Sequence, residues 1–260
     1  MQPKTLRLGG GWRVDIAART DIGSVRKNNE DSLGIFDEDG DAGAALLVVA
    51  DGMGGAAAGE VASQTAVHTL AEQYRTRIGA GESIDGALEN SILDANRAVF
   101  EMAAGDASLR GMGTTCTAVV LEGATVHLAH IGDSRAYRIT ESGSERLTVD
   151  HTLATELGLN IVSPSPGILV PPEAHNILTR CLGVESEVRV DVATPTELGD
   201  GDALLLCSDG LTGMITEEAL TEAVRHTDPD ASSRRLIELA KEGGGLDNIT
   251  VIVARFRRGD

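Results

Sequence analysis

Apolar and polar residues alternate along several short stretches of this chain, a pattern typical of half-buried β-strands. The strands predicted from this pattern lie near residues 12–19, 32–36, 44–50, 114–121, 125–131, 135–140, 146, 188–192, 203–207 and 249–256. The three successive strands between residues 114 and 140 are expected to form a β-meander.

Apolar residues at helical spacing predict four helices between the strands. These helices lie near residues 57–77, 82–104, 216–225 and 230–242. Two sets of strands, separated and followed by helix pairs, imply packed sheets covered by helices, which is an α+β layered fold. The Pro-containing stretch from Thr152 to His175 lacks a regular period, and we expect it to be a mobile surface segment that faces the substrate.

No composition shift divides the chain, because apolar segments continue from Trp12 to Phe256 without a long low-complexity break. We therefore expect one domain over residues 1–260, with a core at about 12–256.

Acidic residues stand at the ends of several predicted strands. Two apolar runs end in Asp51-Gly52 and Asp209-Gly210, Asp133 follows a third run, and Asp247 precedes the last. For each Asp-Gly pair taken alone, a simple turn is the favoured interpretation. Carboxylates gathered in one place repel one another unless cations neutralise them, so the repetition predicts a site for more than one divalent ion.

Composition limits the possible partners. The net charge of −18 and the sequence pI near 4.6 disfavour binding to nucleic acid or to anionic membranes.

The three cysteines, Cys116, Cys181 and Cys207, lack CxxC spacing and are expected to be buried thiols. The chain has neither an apolar run of membrane-spanning length nor the apolar core of a secretory signal, so we expect a cytoplasmic chain without membrane insertion.

The glycine-rich stretch from Asp51 to Gly59 lies between a predicted strand and a predicted helix, where phosphate-binding loops also occur. Against a nucleotide, Asp51 would direct a carboxylate at the pyrophosphate, and no Lys-Ser or Lys-Thr pair completes a P-loop. The glycines equally allow a close backbone approach to a metal ion, with the Gly52 carbonyl as an oxygen ligand. Nucleotide binding stays open as an alternative.

Seven short motifs follow one another in an order typical of a known family. They are Arg26-Lys-Asn-Asn-Glu-Asp31, Asp51-Gly-Met-Gly-Gly, Gly113-Thr-Thr, Gly132-Asp-Ser-Arg135, Leu178-Thr-Arg-Cys-Leu-Gly183, Ser208-Asp-Gly-Leu211 and Asp247-Asn-Ile-Thr250. In these motifs the chain resembles the bacterial metal-dependent (type 2C, PPM) protein serine/threonine phosphatases. The resemblance implies a four-layer α-β-β-α sandwich of two antiparallel sheets, each flanked by a helix pair.

The resemblance also implies a binuclear Mn²⁺ or Mg²⁺ centre at one end of the sandwich. Asp51 would bridge both ions, the Gly52 carbonyl would complete one of them, and Asp209 with Asp247 would hold the other. Asp133 would serve a third, weaker metal position that it shares with Asp209. This oxygen-only set suits hard divalent ions.

Further residues receive roles from the same resemblance. Arg26 would bind the substrate phosphate, and Glu30 with Asp31 would act through metal-bound water. Activated water would hydrolyse phosphoserine or phosphothreonine in one step without a phosphoenzyme. The implied partners are phosphorylated proteins, together with serine/threonine kinases and their substrates, and a monomer is expected.

One departure from the family pattern concerns proton donation. The family often has a His just after the Gly-Met-Gly-Gly loop, and Ala56 stands there in this chain. A side-chain general acid is therefore not predicted, and a related protein that binds without turnover is the competing hypothesis. His130 and His151, which flank matched motifs, are interpreted as structural residues.

Overall fold

A computed structural model describes residues 2–37, 43–54, 58–158 and 172–259. Its first sheet has six antiparallel strands. Their spatial order is β1 (Lys4–Leu8), β2 (Trp12–Asp21), β13 (Ile249–Arg258), β12 (Ala203–Cys207), β8 (Arg135–Thr140) and β9 (Gly143–Arg146). The strand prediction did not include Lys4–Leu8, although polar and apolar residues alternate there as they do in the predicted strands.

The second sheet has seven antiparallel strands. The main order is β10 (Asp191–Val192), β7 (Thr125–Ile131), β6 (Cys116–Glu122), β4 (Ala44–Met53) and β3 (Asp31–Asp37). The short strands β11 (Thr196–Glu197) and β5 (Gly113–Thr114) pair with β7 and β4 respectively.

The helices occupy nearly the predicted positions. The four long helices are α1 (Ala58–Gly79), α2 (Ile84–Gly105), α5 (Glu217–Arg225) and α6 (Pro229–Glu242). Two single-turn helices, α3 (Leu153–Glu156) and α4 (Asp209–Thr212), are also present. None of the helices in the described ranges is both long and apolar enough to cross a bilayer.

The continuous apolar runs of the central strands explain the layers, because successive side chains point to opposite faces and both faces of each sheet are therefore apolar. In β4, Leu47 and Val49 face the other sheet, whereas Leu46 and Val48 face α1 and α2. The outer face of the first sheet packs on α5 and α6 through residues such as Leu236. The four layers are therefore α-β-β-α, and the predicted fold class is confirmed.

The predicted β-meander is wrong in its third strand. β6 and β7 pair as expected, but β8 pairs with β12 and β9 in the first sheet. The chain changes sheets at Gly132, which has a φ of 112°. Most of the expected surface segment from Thr152 to His175 lies outside the described residues.

Candidate metal centre

The sequence motifs converge on one cavity of about 440 Å³ at an end of the sandwich. The cavity is lined by Arg26, Glu30, Asp51, Gly52, Met53, Gly54, Thr115, Asp133, Asn176, Leu178, Cys181, Val184, Asp209 and Asp247. Every residue predicted to bind metal or phosphate is therefore brought to the same place. A larger cavity of about 670 Å³ lies between β2 and α6, and its described lining contains none of these motif residues.

The last residues of β4 place Asp51 and Gly52 in the cavity wall. The Asp51 amide donates to Thr115 Oγ1 at 2.9 Å, and the Asp51 carbonyl accepts from the Thr115 amide at 2.9 Å. At Gly52 a Cβ atom would lie 2.0 Å from the Gly59 carbonyl oxygen and 2.5 Å from that of Glu30. The second residue of the Asp-Gly pair therefore has to be glycine because the backbone is crowded here, not because a turn requires it.

The second Asp-Gly pair differs from the expected turn, because Asp209 and Gly210 begin helix α4. The Asp209 carboxyl group lies close enough to that of Asp51 for the two to influence each other's pKa. Its Oδ1 atom is buried and has no hydrogen-bond partner within the described structure. A buried carboxylate oxygen without a partner carries a desolvation cost that a bound cation would offset.

Asp247 precedes β13 and accepts two hydrogen bonds at the cavity wall, one of them from a charged group. Its Oδ1 accepts from the Asn248 amide at 2.8 Å, and its Oδ2 accepts from Arg26 Nη2 at 2.6 Å. The pKa of the Arg26 guanidinium is raised mainly by this hydrogen bond to Asp247. The predicted phosphate-binding cation and a predicted metal ligand thus form an ion pair in this structure.

Burial and mutual repulsion raise the pKa values of several acids that line the cavity. Burial, followed by repulsion from Asp209, raises the pKa of Asp133 to about 7. Burial is also the largest cause of the raised pKa values of Asp51 and Asp209. The pKa of Glu30 is raised as well, chiefly by burial. Positive charge supplied to the cluster would favour the ionised carboxylates and so oppose this rise.

Asp31 lies beside Asp51 in the β3–β4 ladder and is buried. Its Oδ2 accepts from Ser208 Oγ at 2.8 Å, while its Oδ1 is buried without a hydrogen-bond partner in the described structure. Burial raises its pKa to about 7. Asp31 therefore lies outside the cavity lining, in contact with residues that neighbour the lining acids.

The donor set fits hard divalent cations. Carboxylate and carbonyl oxygens are the ligands that Mn²⁺ and Mg²⁺ prefer. The one cysteine among the described lining residues, Cys181, has a thiol pKa raised to about 11 by burial, which keeps it protonated. Within the described ranges no three His, Cys, Asp or Glu side chains are already spaced as a complete ligand set.

Both histidines near the motifs have structural contacts. His130 is buried with Nδ1 2.9 Å from Thr117 Oγ1, and burial lowers its pKa to about 3. His151 Nδ1 accepts from the Gly132 amide at 3.0 Å, and its Nε2 lies 3.0 Å from Asp191 Oδ2. His151 therefore helps to hold the turn that carries Asp133. Cys116, Cys181 and Cys207 are free and buried, as expected.

The motifs also contain polar side chains that hold the acids in place, a role that the motif pattern alone does not indicate. Thr115 and Ser208 hydrogen-bond to Asp51 and Asp31, as described above. Asn248 binds the backbone of the segment that carries Arg26. Their presence inside the motifs was a signal for a role, but the sequence does not show which backbone groups they reach. Ala56, the site of the family departure, lies outside the described residues.

Known proteins show the same combination of sequence and fold. A family model for protein phosphatase 2C matches residues 24–239. The serine/threonine phosphatase stp of Listeria innocua is 37% identical over 244 residues, which are 90% of this chain and 93% of that protein. The chain belongs to the protein phosphatase 2C family.

Other family members agree in sequence and in structure. The serine/threonine protein phosphatase PstP of Mycobacterium tuberculosis is 40% identical over 92% of this chain, and this chain spans 44% of its length. A crystal structure of the PstP catalytic domain with two manganese ions matches with a TM-score of 0.77 and 36% identity, covering 95% of this chain and 99% of that one. The Streptococcus agalactiae phosphatase structure matches with a TM-score of 0.80 and 33% identity, covering 93% and 99% respectively.

Proposed function

We propose that this chain is a metal-dependent phosphatase that removes phosphate from phosphoserine and phosphothreonine in proteins. The observation that carries the proposal is the convergence of Asp51, Asp133, Asp209, Asp247 and Arg26 on one cavity. Family membership supports the same class of reaction, since relatives that match most of the chain are named serine/threonine phosphatases.

Mn²⁺ or Mg²⁺ is the proposed cofactor, with two ions and a third, weaker position. Asp51 and the Gly52 carbonyl would hold one ion, and Asp51, Asp209 and Asp247 the other. Asp133 would contribute to the third position together with Asp209. When bound, such ions supply Lewis acidity and activate water for attack on phosphorus. The Oδ1 atom of Asp209, which is buried and has no hydrogen-bond partner among the described residues, supports this assignment.

Arg26 is the proposed phosphate-binding residue. A guanidinium group matches two oxygens of a phosphate in one plane, which gives orientation as well as charge. Arg26 is half exposed at the cavity wall, so an incoming phosphate has access to it. In a chain with a net charge of −18, this cation and the divalent ions provide the positive field that a phosphate dianion needs.

We propose hydrolysis in one step, with water as the nucleophile. The protonated thiol of Cys181 argues against a cysteinyl phosphoenzyme, because the thiolate is the reactive form. The proposed substrates are phosphorylated proteins, among them serine/threonine kinases and the proteins that such kinases modify.

Phosphate release from a phosphothreonine peptide tests the function. We expect release that depends on Mn²⁺ or Mg²⁺ and stops in EDTA; equal turnover in EDTA would contradict the metal mechanism.

Asp209→Asn and Asp247→Asn should each remove most of the activity, because each replaces a ligand charge at nearly constant volume. Glu89→Gln, which makes the same change at an exposed position on α2, should retain wild-type turnover.

A further inference from the structure

The side chain of Asn248 makes three hydrogen bonds to the backbone of one segment. Asn248 Nδ2 donates to the Ile22 carbonyl at 3.0 Å and to the Asn28 carbonyl at 2.9 Å. Its Oδ1 accepts from the Glu30 amide at 2.8 Å. The side chain is 4% exposed, so these bonds are shielded from water. Both amide N–H groups and the carbonyl oxygen of Asn248 are therefore used within this one segment.

The bound segment, residues 22–30, connects β2 to β3 and carries Arg26 at its middle. Asn248 holds both of its ends, while Arg26 reaches Asp247, the residue before Asn248. The segment also lies directly against the backbone there, since a Cβ on Gly23 would lie 2.2 Å from the Asp247 carbonyl oxygen. The position of Arg26 relative to Asp247 therefore depends on how this segment is seated.

The same contacts continue to the other half of the candidate metal centre. The Glu30 amide donates to Asn248, and the Glu30 carbonyl accepts from the Gly52 amide at 3.1 Å. Ser63 Oγ donates to that carbonyl at 2.6 Å. The backbone of Glu30 thus links Asn248, at the start of a strand in the first sheet, to Gly52 in the second sheet.

We propose that Asn248 is a positioning residue that sets the location of Arg26 and the spacing between Asp247 and the Asp51-Gly52 pair. The proposal rests on the proposed function for its catalytic meaning. Its structural basis is independent, because no metal ion or substrate takes part in these hydrogen bonds. Only a primary amide of this length offers two donors and one acceptor at these places: alanine removes all three bonds, and aspartate removes both donors.

Hydrogen exchange tests the structural half of the proposal without metal or turnover. In Asn248→Ala, the Glu30 amide and the rest of segment 22–30 should exchange faster than in the wild type, while the remaining sheet amides keep their protection. Asn248→Asp fills nearly the same volume, so it serves if the alanine variant does not fold, and it should also deprotect the segment. The matched control is Asn28→Ala, whose side chain reaches Glu60 instead. Unchanged exchange in both Asn248 variants would overturn the proposal.

A double-mutant cycle on the Mn²⁺-loaded enzyme tests the catalytic half. Asn248→Ala should lower kcat/KM for a phosphothreonine peptide about 10–100-fold. This range is typical of residues that orient metal ligands without binding the metal themselves. Combining it with Arg26→Ala should cost clearly less than the product of the two single losses, because part of the effect of Asn248 acts through Arg26. Fully additive losses, or wild-type kcat/KM in Asn248→Ala, would overturn the positioning role. A wild-type enzyme without turnover would refute the proposed function instead, and the exchange experiment would still decide whether Asn248 holds the segment.

Discussion

At the scale of single residues, Gly52 shows how tightly the backbone is packed behind the candidate metal centre. Gly52→Ala would place a methyl group 2.0 Å from the Gly59 carbonyl oxygen. We expect it to lower the free energy of unfolding by about 1–3 kcal/mol, the usual cost of overpacking, and to reduce phosphatase activity. Urea denaturation and peptide turnover measure the two effects.

Gly79→Ala is the control for that substitution. Gly79 ends α1, and a Cβ there meets no atom within 4 Å. Alanine should leave the free energy of unfolding unchanged or raise it by up to about 1 kcal/mol, because it favours the helix. Similar losses in both variants would show that crowding at Gly52 is not the cause.

The sequence could predict the acidic residues of the site but not the polar contacts that hold them in place. Asp51, Asp133, Asp209 and Asp247 were found because each stands beside an apolar strand run, and motif order then added Arg26. The ion pair between Arg26 and Asp247 could not be predicted, because it joins residues that only the folded sheets bring together.

At the scale of the elements, α6 begins at a capping residue that satisfies two backbone amides of its first turn. Asp228 Oδ1 accepts from the amides of Asp230 and Ala231, both at 3.1 Å. Asp228→Ala should lower the free energy of unfolding by about 0.5–2 kcal/mol, as is typical for loss of an N-cap. Asp228→Ser retains an acceptor and should lose much less in the same denaturation measurement. Equal losses would mean that capping is not what Asp228 contributes.

Strand existence was easier to predict than strand pairing. Alternation shows that residues 135–140 form a strand, but it does not show which neighbour the strand joins. The turn before β8 is held by contacts from distant residues: Thr115 Oγ1 lies 2.8 Å from Ser134 Oγ, and the Gly132 amide donates to His151 Nδ1. These contacts direct the chain into the other sheet, and no local pattern encodes them.

At the scale of the whole molecule, the buried acids couple stability to pH. Asp31 and Asp133 have pKa values raised to about 7, mainly by burial. The folded protein therefore keeps protons that the unfolded chain releases above about pH 4. In EDTA, this contribution to the free energy of unfolding should be lost as the pH rises from about 4 to about 7. Urea denaturation at pH 5 and pH 8 measures the loss.

Divalent ions should reverse that trend. Mn²⁺ binds the ionised carboxylates, so it should stabilise the folded state more at pH 8 than at pH 5. Asp133→Asn should flatten the pH dependence in EDTA, and Glu89→Gln should not. A stabilisation by Mn²⁺ that is the same at both pH values would indicate that the ion binds elsewhere.

The ladder between β2 and β13 joins opposite ends of the described chain, with Trp12 opposite Arg258 and Asp21 opposite Ile249. Contacts so distant in sequence form late, because the entropy of loop closure opposes them until the intervening chain has folded. On the ribosome, β2 therefore keeps an open edge until residues 249–258 have been synthesised, and open edges are prone to pair wrongly. Because Asp247 lies two residues before β13, the set of candidate ligands is complete only once this segment has been synthesised.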